Sequence, residues 1–193
     1  MLCGCKAEDD AMQRALDVRA ALLQAGGCRF TGNVRVSYDE SVFDFTMDCT
    51  YQTDGASQME ITAPQSLKGI RASLGKDDAQ LRFEDTVVSF DGLAEGNFAP
   101  MAFPLLLGQC LCEDYISAAG RDNGALRVTY LHDYDEKELR VEVWFAEDAL
   151  QPQYAEVYHK GKLLLSAQLS DFTKKKEDCN GTAEKNVGGD LAR

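Results

Sequence analysis

Two histidines, seven cysteines and one tryptophan are the side chains with the widest chemical reach in this 193-residue chain. Their spacing argues against most catalytic uses. His132 and His159 each end a strand-like run beside a polar turn, the ordinary setting of a solvent-facing imidazole. Asp133, Asp135 and Glu136 follow the first, but the run lacks the glycine and spaced oxygen ligands of a calcium loop and reads as an acidic hairpin turn. Cys110-x-Cys112 has one intervening residue where zinc and redox sites use two. The chain contains no Gly-x-Ser-x-Gly elbow, no phosphate loop, no Gly-x-Gly-x-x-Gly after a strand and no His-Glu-x-x-His. No metal, no cofactor and no catalytic residue is therefore expected, and the chain is read as a non-enzyme.

The cysteines divide by position. Met1-Leu2-Cys3-Gly4-Cys5, followed by Lys6 and a polar stretch, resembles the Leu-x-Gly-Cys end of a lipoprotein signal peptide, which makes Cys5 the expected lipidation site. A diacylglyceryl-type anchor would be needed for stable attachment, since one acyl chain binds only marginally. Cys28 and Cys49 fall on the apolar face of adjacent strands, but as diagonal neighbours about 7–8 Å apart they are expected to stay free thiols unless a bulge shifts the pairing.

The elements that position these residues follow from periodicity. Met12, Leu16, Ala20 and Leu23 make one helical stripe between Asp10 and Gly27, with Asp10 and Gln13 as a capping box and Gly26-Gly27 as the stop. The period then changes to two. Phe30, Gly32, Val34, Val36 and Tyr38 share a face, as do Phe43, Phe45, Met47, Cys49 and Tyr51. A two-residue Asp39-Glu40 turn sets Phe30 opposite Cys49 and puts both apolar sets on one side. Further strands carry Met59 and Ile61, then Ile70 to Leu74, Leu81 and Phe83, and Val87 to Phe90. The last four cover Leu126 to Leu131, Leu139 to Phe145, Tyr154 to His159 and Leu163 to Leu169, about ten strands in all.

One segment interrupts the meander. Phe98 to Cys112 is the most apolar stretch of the chain and is expected to be helical in two pieces divided near Pro104. The expected fold is α+β, mainly β: a large curved antiparallel sheet, or half-open barrel, covered by the N-terminal helix and this mid-chain helical insert. Residues 1–9 form a tether, 10–172 one domain and 173–193 a disordered tail.

The apolar face must be covered, because burial stabilises by about 25 cal/mol per Å². Either the helices fill it, or they leave a cavity that an acyl chain occupies. In the second case Phe30, Val34, Val36, Phe43, Phe45, Met47, Phe83, Val141 and Val143 line it, and Met101, Phe103, Leu106 and Leu107 form a mobile lid. A Lys160-Gly161 turn that pairs Tyr158 with Leu163 would pair Glu156 with Leu165 and turn its carboxylate inward, toward a ligand headgroup. A one-residue bulge would send it outward instead.

The net charge of -12 repels nucleic acid and anionic headgroups, so no nucleic-acid partner is expected and membrane residence needs the anchor.

The order of helix, meander, apolar insert and second meander, together with a set of short motifs, resembles the LolA/LolB lipoprotein-carrier superfamily, which includes mycobacterial lipid-binding lipoproteins. The motifs are Phe30-Thr31-Gly32-Asn33-Val34, Met59-Glu60-Ile61-Thr62-Ala63-Pro64, Leu67-Lys68-Gly69-Ile70, Trp144, Pro152-Gln153-Tyr154-Ala155-Glu156-Val157-Tyr158 and Ser170-Asp171-Phe172. The resemblance implies a half-barrel around helices that binds an acyl chain or a protein partner. The resulting expectation is a lipid-anchored extracytoplasmic lipoprotein of the bacterial cell envelope that binds a hydrophobic ligand in a cavity. The alternative is an accessory envelope lipoprotein that binds a protein partner, signalled by an exposed Trp144 on the outer sheet face above a filled inner one.

Overall fold

The computed structural model describes residues 4–38, 41–75, 79–83, 86–89, 100–132 and 139–175. Cys3, the Asp39-Glu40 turn, Phe90, Phe98, the acidic run 133–136 and the tail from 176 lie outside the described residues.

Helix α1 spans Gly4–Ala25, starting before the expected Asp10, which lies inside it rather than capping it. The buried stripe is Ala11, Ala15, Val18 and Leu22, whereas Leu16 and Leu23 are 43% and 47% exposed. The expected stripe is thus turned by about one residue, or 100°. Small residues on the buried side allow close helix approach, and this orientation directs the adjacent Arg19 toward the second helix. Gly27, at φ +140°, begins the first strand where an added Cβ would sit 2.1 Å from the Tyr51 carbonyl oxygen. Only glycine fits there.

The strands are β1 (Gly27–Tyr38), β2 (Ser41–Gln52), β3 (Ser57–Ala63), β4 (Arg71–Leu74), β5 (Ala79–Phe83) and β6 (Thr86–Ser89), then β7 (Tyr115–Asp122), β8 (Ala125–Leu131), β9 (Leu139–Ala146), β10 (Pro152–His159) and β11 (Lys162–Lys174). A short 3-10 turn, Pro100–Ala102, leads into helix α2 (Phe103–Cys112). The strands form one antiparallel sheet ordered β6-β5-β4-β3-β2-β1-β11-β10-β9-β8-β7. The β1–β2 register is the expected one, Tyr38 opposite Ser41 and Phe30 opposite Cys49. Strand β7 has no counterpart in the sequence reading. Ser117-Ala118-Ala119-Gly120 holds too little apolar alternation to signal a strand, which an edge position tolerates.

This order explains the insert. Two meanders, β1 to β6 and β7 to β11, are joined by the β1–β11 pair. Strands β6 and β7 therefore lie at opposite edges of a curved sheet that is not closed, and the chain between them must cross a face. An apolar crossing segment takes the inner face, where burial favours it.

The β10–β11 hairpin corrects the placement of Glu156. Lys160 and Gly161 have φ of +51° and +77°, the two-residue turn expected, and Tyr158 pairs with Leu163. The next pair is Val157 with Leu165, so Leu164 is an extra residue and Glu156 faces Ser166. This bulge keeps Ala155 and Val157 in the core and turns Glu156 to the outer face.

Candidate functional site

The inner face is built from β1, β2 and β8 to β11 against the two helices. Phe30, Val34, Val36, Met47, Phe103, Leu106, Leu107, Val141 and Val143 are all buried in one core. Phe103 meets Phe30 edge-on at 6.3 Å, and Phe30 stacks on Phe172 at 6.3 Å, both within the favourable aromatic range. Phe103 lies near Gly32, and Gly108 presses on the Tyr51 ring, so α2 runs antiparallel to β1. The insert expected as a lid over the face is packed into it.

Arg19 of α1 fastens the C-terminal end of α2. Its guanidinium donates to the carbonyl oxygens of Cys110 (3.0 Å), Leu111 (3.1 Å) and Asp114 (2.5 Å). A cation on the last carbonyls satisfies acceptors that the helix leaves unpaired and opposes the negative end of its dipole. Among the described residues no such cap is seen at the other end, where Ala102 makes no side-chain capping bond. Part of the apolar face is less deeply buried. Phe43 and Phe83 are 53% and 43% exposed, while Phe45, Met101, Ile70, Leu81 and Leu105 are only partly buried.

One cluster superficially resembles a catalytic triad. Cys110 donates to Asp114 Oδ2 at 3.1 Å, and His132 Nδ1 stands 3.1 Å from the same carboxylate. The carboxylate lies between thiol and imidazole, so the histidine is not the thiol's base. Burial, then the nearby Asp114 charge, push the Cys110 thiol well above its ordinary value, the opposite of an activated nucleophile. Cys28, Cys49, Cys110 and Cys112 are all buried free thiols. Burial raises Cys28 to about 12 and Cys112 to about 11.

The outer face carries a second cluster, on β8, β9 and β10. Trp144 donates its indole N–H to Asp122 Oδ2 at 2.8 Å, packs on Tyr154 at 5.3 Å and lies under Arg127 at 5.5 Å. Arg140 covers Tyr158 at 4.5 Å. Glu142 and Glu156 are direct cross-strand partners, a repulsive pairing that each side neutralises locally. Glu142 is hydrogen-bonded and ion-paired by Arg127 at 2.7 Å, and Arg140 adds an ion-pair contact at 3.3 Å without a hydrogen bond from its Nε. Glu156 accepts from the hydroxyls of Tyr154 (2.9 Å) and Tyr158 (2.6 Å). Burial and the Glu156 bond raise Tyr158 to about 12, keeping that phenol a donor. Trp144, Tyr154 and Tyr158 remain half-buried.

Strand parity in the sequence places Trp144 outside. It offers no sign of Arg19, whose partners are 91 to 95 residues away, nor of Arg127 and Arg140, whose role depends on register across β8 to β10.

No protein-family model matches the chain, and no curated protein matches it. Among solved structures it is similar to a Vibrio parahaemolyticus domain assigned to outer membrane lipoprotein sorting, at 13% identity and TM-score 0.52, covering 86% of this chain and 92% of that one. It is also similar to a LolA superfamily protein from Nitrosomonas europaea, at 13% identity and TM-score 0.50, covering 87% and 94%. The chain shares with these structures a LolA-like fold, a curved antiparallel sheet that is not closed, with one N-terminal and one mid-chain helix.

Proposed function

We propose that this chain is the body of an extracytoplasmic envelope lipoprotein, tethered through a lipid on Cys5, that binds a protein partner through the outer face of β8 to β10 and performs no covalent chemistry. The observation that carries this is the Trp144–Tyr154–Tyr158 cluster, held rigid by Arg127, Arg140 and Glu156 above a filled inner face. Tryptophan, tyrosine and arginine supply most of the energy of protein interfaces. Side chains already fixed by intramolecular bonds lose little further entropy on docking.

The test is co-purification from the native envelope under mild cross-linking. Trp144→Ala should weaken capture of the partner by about 30-fold, the loss of one central anchor worth about 2 kcal/mol. Phe43→Ser should leave capture intact. Retained capture with Trp144→Ala and Tyr158→Ala would overturn the proposal.

A hydrophobic-ligand reading keeps one specific observation in its favour. Phe43 and Phe83 are exposed and Phe45 and Met101 half-buried, an apolar surface that an acyl chain would cover. Native mass spectrometry of protein from its own host decides this: bound acyl species lost in Phe43→Ser would support it, and repeated empty preparations would refute it.

A further inference from the structure

The outer face holds two adjoining hollows that share only Tyr154 with the docking cluster. One, of about 540 Å³, lies across β11, β1 and β2 between Pro64 and Tyr154. The other, of about 630 Å³, lies further along β1 and β2 and extends across β3 and β4, with Arg29 and Asp171 at its β11 side. Each falls in the size range of small-molecule sites. A β-bulge shapes the second: the β1–β11 pairing slips between Arg29 and Thr31, Leu169 and Phe172 both stay buried, and Asp171, at φ +52°, is turned outward into the hollow. A non-glycine residue in that conformation inside a strand is uncommon, and bulges re-aim side chains beside binding sites.

We propose that this trough binds a neutral, hydroxyl-rich chain, namely an oligosaccharide of uncharged N-acetylated sugars; the proposal shares with the functional reading an extracytoplasmic location and the Tyr154 ring. The charges lining the trough nearly balance: Arg35 pairs with Asp44 at 2.7 Å and Arg71 with Glu60 at 2.9 Å, and Arg29 shares the second hollow with Asp48 and Asp171, leaving no single-sign field for a polyanion or polycation. The trough is also rich in fixed hydrogen-bonding groups. Thr46 donates to Asn33 Oδ1 at 2.8 Å and Thr31 to Asp48 at 2.9 Å, which orients the Asn33 amide and the Asp48 carboxylate. Planar amide, carboxylate and guanidinium groups fixed in place suit adjacent sugar hydroxyls. The half-buried Tyr154 ring, immobilised by Trp144 and Glu156, forms an aromatic wall on one side, and across the trough on the opposite side Ala63 and Pro64 offer a small apolar surface to an acetyl methyl group.

The test uses the whole chain with Cys5→Ser, titrated with a soluble β-1,4-linked N-acetylglucosamine tetrasaccharide and followed by backbone amide shifts. Saturable shifts at Asn33, Thr46, Tyr154 and Gln168 are expected. Tyr154→Ala should weaken binding roughly three- to tenfold, the worth of one aromatic contact. Asn33→Ala and Gln168→Ala, both exposed, should weaken it without unfolding the protein while leaving partner capture unchanged. Tyr158→Ala, outside the trough lining, tests the docking proposal separately through capture. The trough proposal is overturned if no saturable shift appears, if the shifts map elsewhere, or if an acidic or basic peptide occupies the trough in preference.

Discussion

Substituting Gly108 by alanine tests whether α2 plugs the half-barrel. The glycine sits in the middle of α2, where alanine is intrinsically favoured by about 1 kcal/mol. A Cβ at that position would stand 2.1, 2.1 and 2.5 Å from three atoms of the Tyr51 ring. That ring is 1% exposed, its backbone is paired on both sides within the sheet, and its hydroxyl donates to Glu113 Oε1 at 3.3 Å. With so little room to yield, overpacking should cost about 3 kcal/mol, the upper part of its usual range. The net effect is a loss of about 2 kcal/mol. In urea unfolding this lowers the midpoint by about 1 M for a slope near 2 kcal/mol per molar, with the slope unchanged. Tyr51→Leu is destabilising by itself, but Gly108→Ala added to it should cost less than it does alone, with a coupling of about 1–2 kcal/mol. An unchanged or raised midpoint in the single variant would mean that α2 does not press on Tyr51. The filled inner face, and with it the preference for a protein partner over an internal ligand, would then fail.

Arg19→Met keeps most of the aliphatic stem and removes three charge-assisted bonds, so it should destabilise by about 2 kcal/mol and lower hydrogen-exchange protection of α2 amides more than that of β9 amides; equal loss in both would deny the clamp. Burial raises the folded-state values of Cys28 and Cys112 from about 9 to about 12 and about 11. Folding then keeps protons that the unfolded chain releases, so the stabilisation is complete below about pH 9 and is lost as pH rises toward 11 to 12, by at most about 1.4 kcal/mol per pH unit per thiol. Cys28→Ala should flatten the fall measured by urea unfolding across that window, and an unchanged slope would show that Cys28 is not buried as a thiol.

Much of the fold is legible because β-structure has a period of two and short turns carry register. Phe30 opposite Cys49 follows from strand parity and a two-residue turn, and the same parity puts Trp144 outside. The legibility ends where one residue changes the outcome. A single extra residue at Leu164 reverses the face of Glu156, and a one-residue rotation of α1 exchanges Leu16 for Ala15 in the core, because a helix or strand pattern alone leaves adjacent registers nearly equal in apolar content. Strand β7 escapes notice because an edge strand needs little apolar surface.

The residues that inform function depend on distance along the chain. Local sequence determines that Phe98 to Cys112 must be buried, since its apolar surface is costly in water. That residues 100–112 pack against the inner face is decided by sheet order, which sets β6 and β7 at opposite edges, and by Arg19, Gly108 and Tyr51, brought together from three remote segments. The outer cluster is likewise a product of register among β8, β9 and β10, where guanidiniums and phenols meet carboxylates that the sequence keeps 15 or more residues apart or two residues away on the same strand. Periodicity is a local property, and sequence carries it directly; the meeting of side chains across strands is set by packing free energy over the whole chain, which only the folded structure resolves.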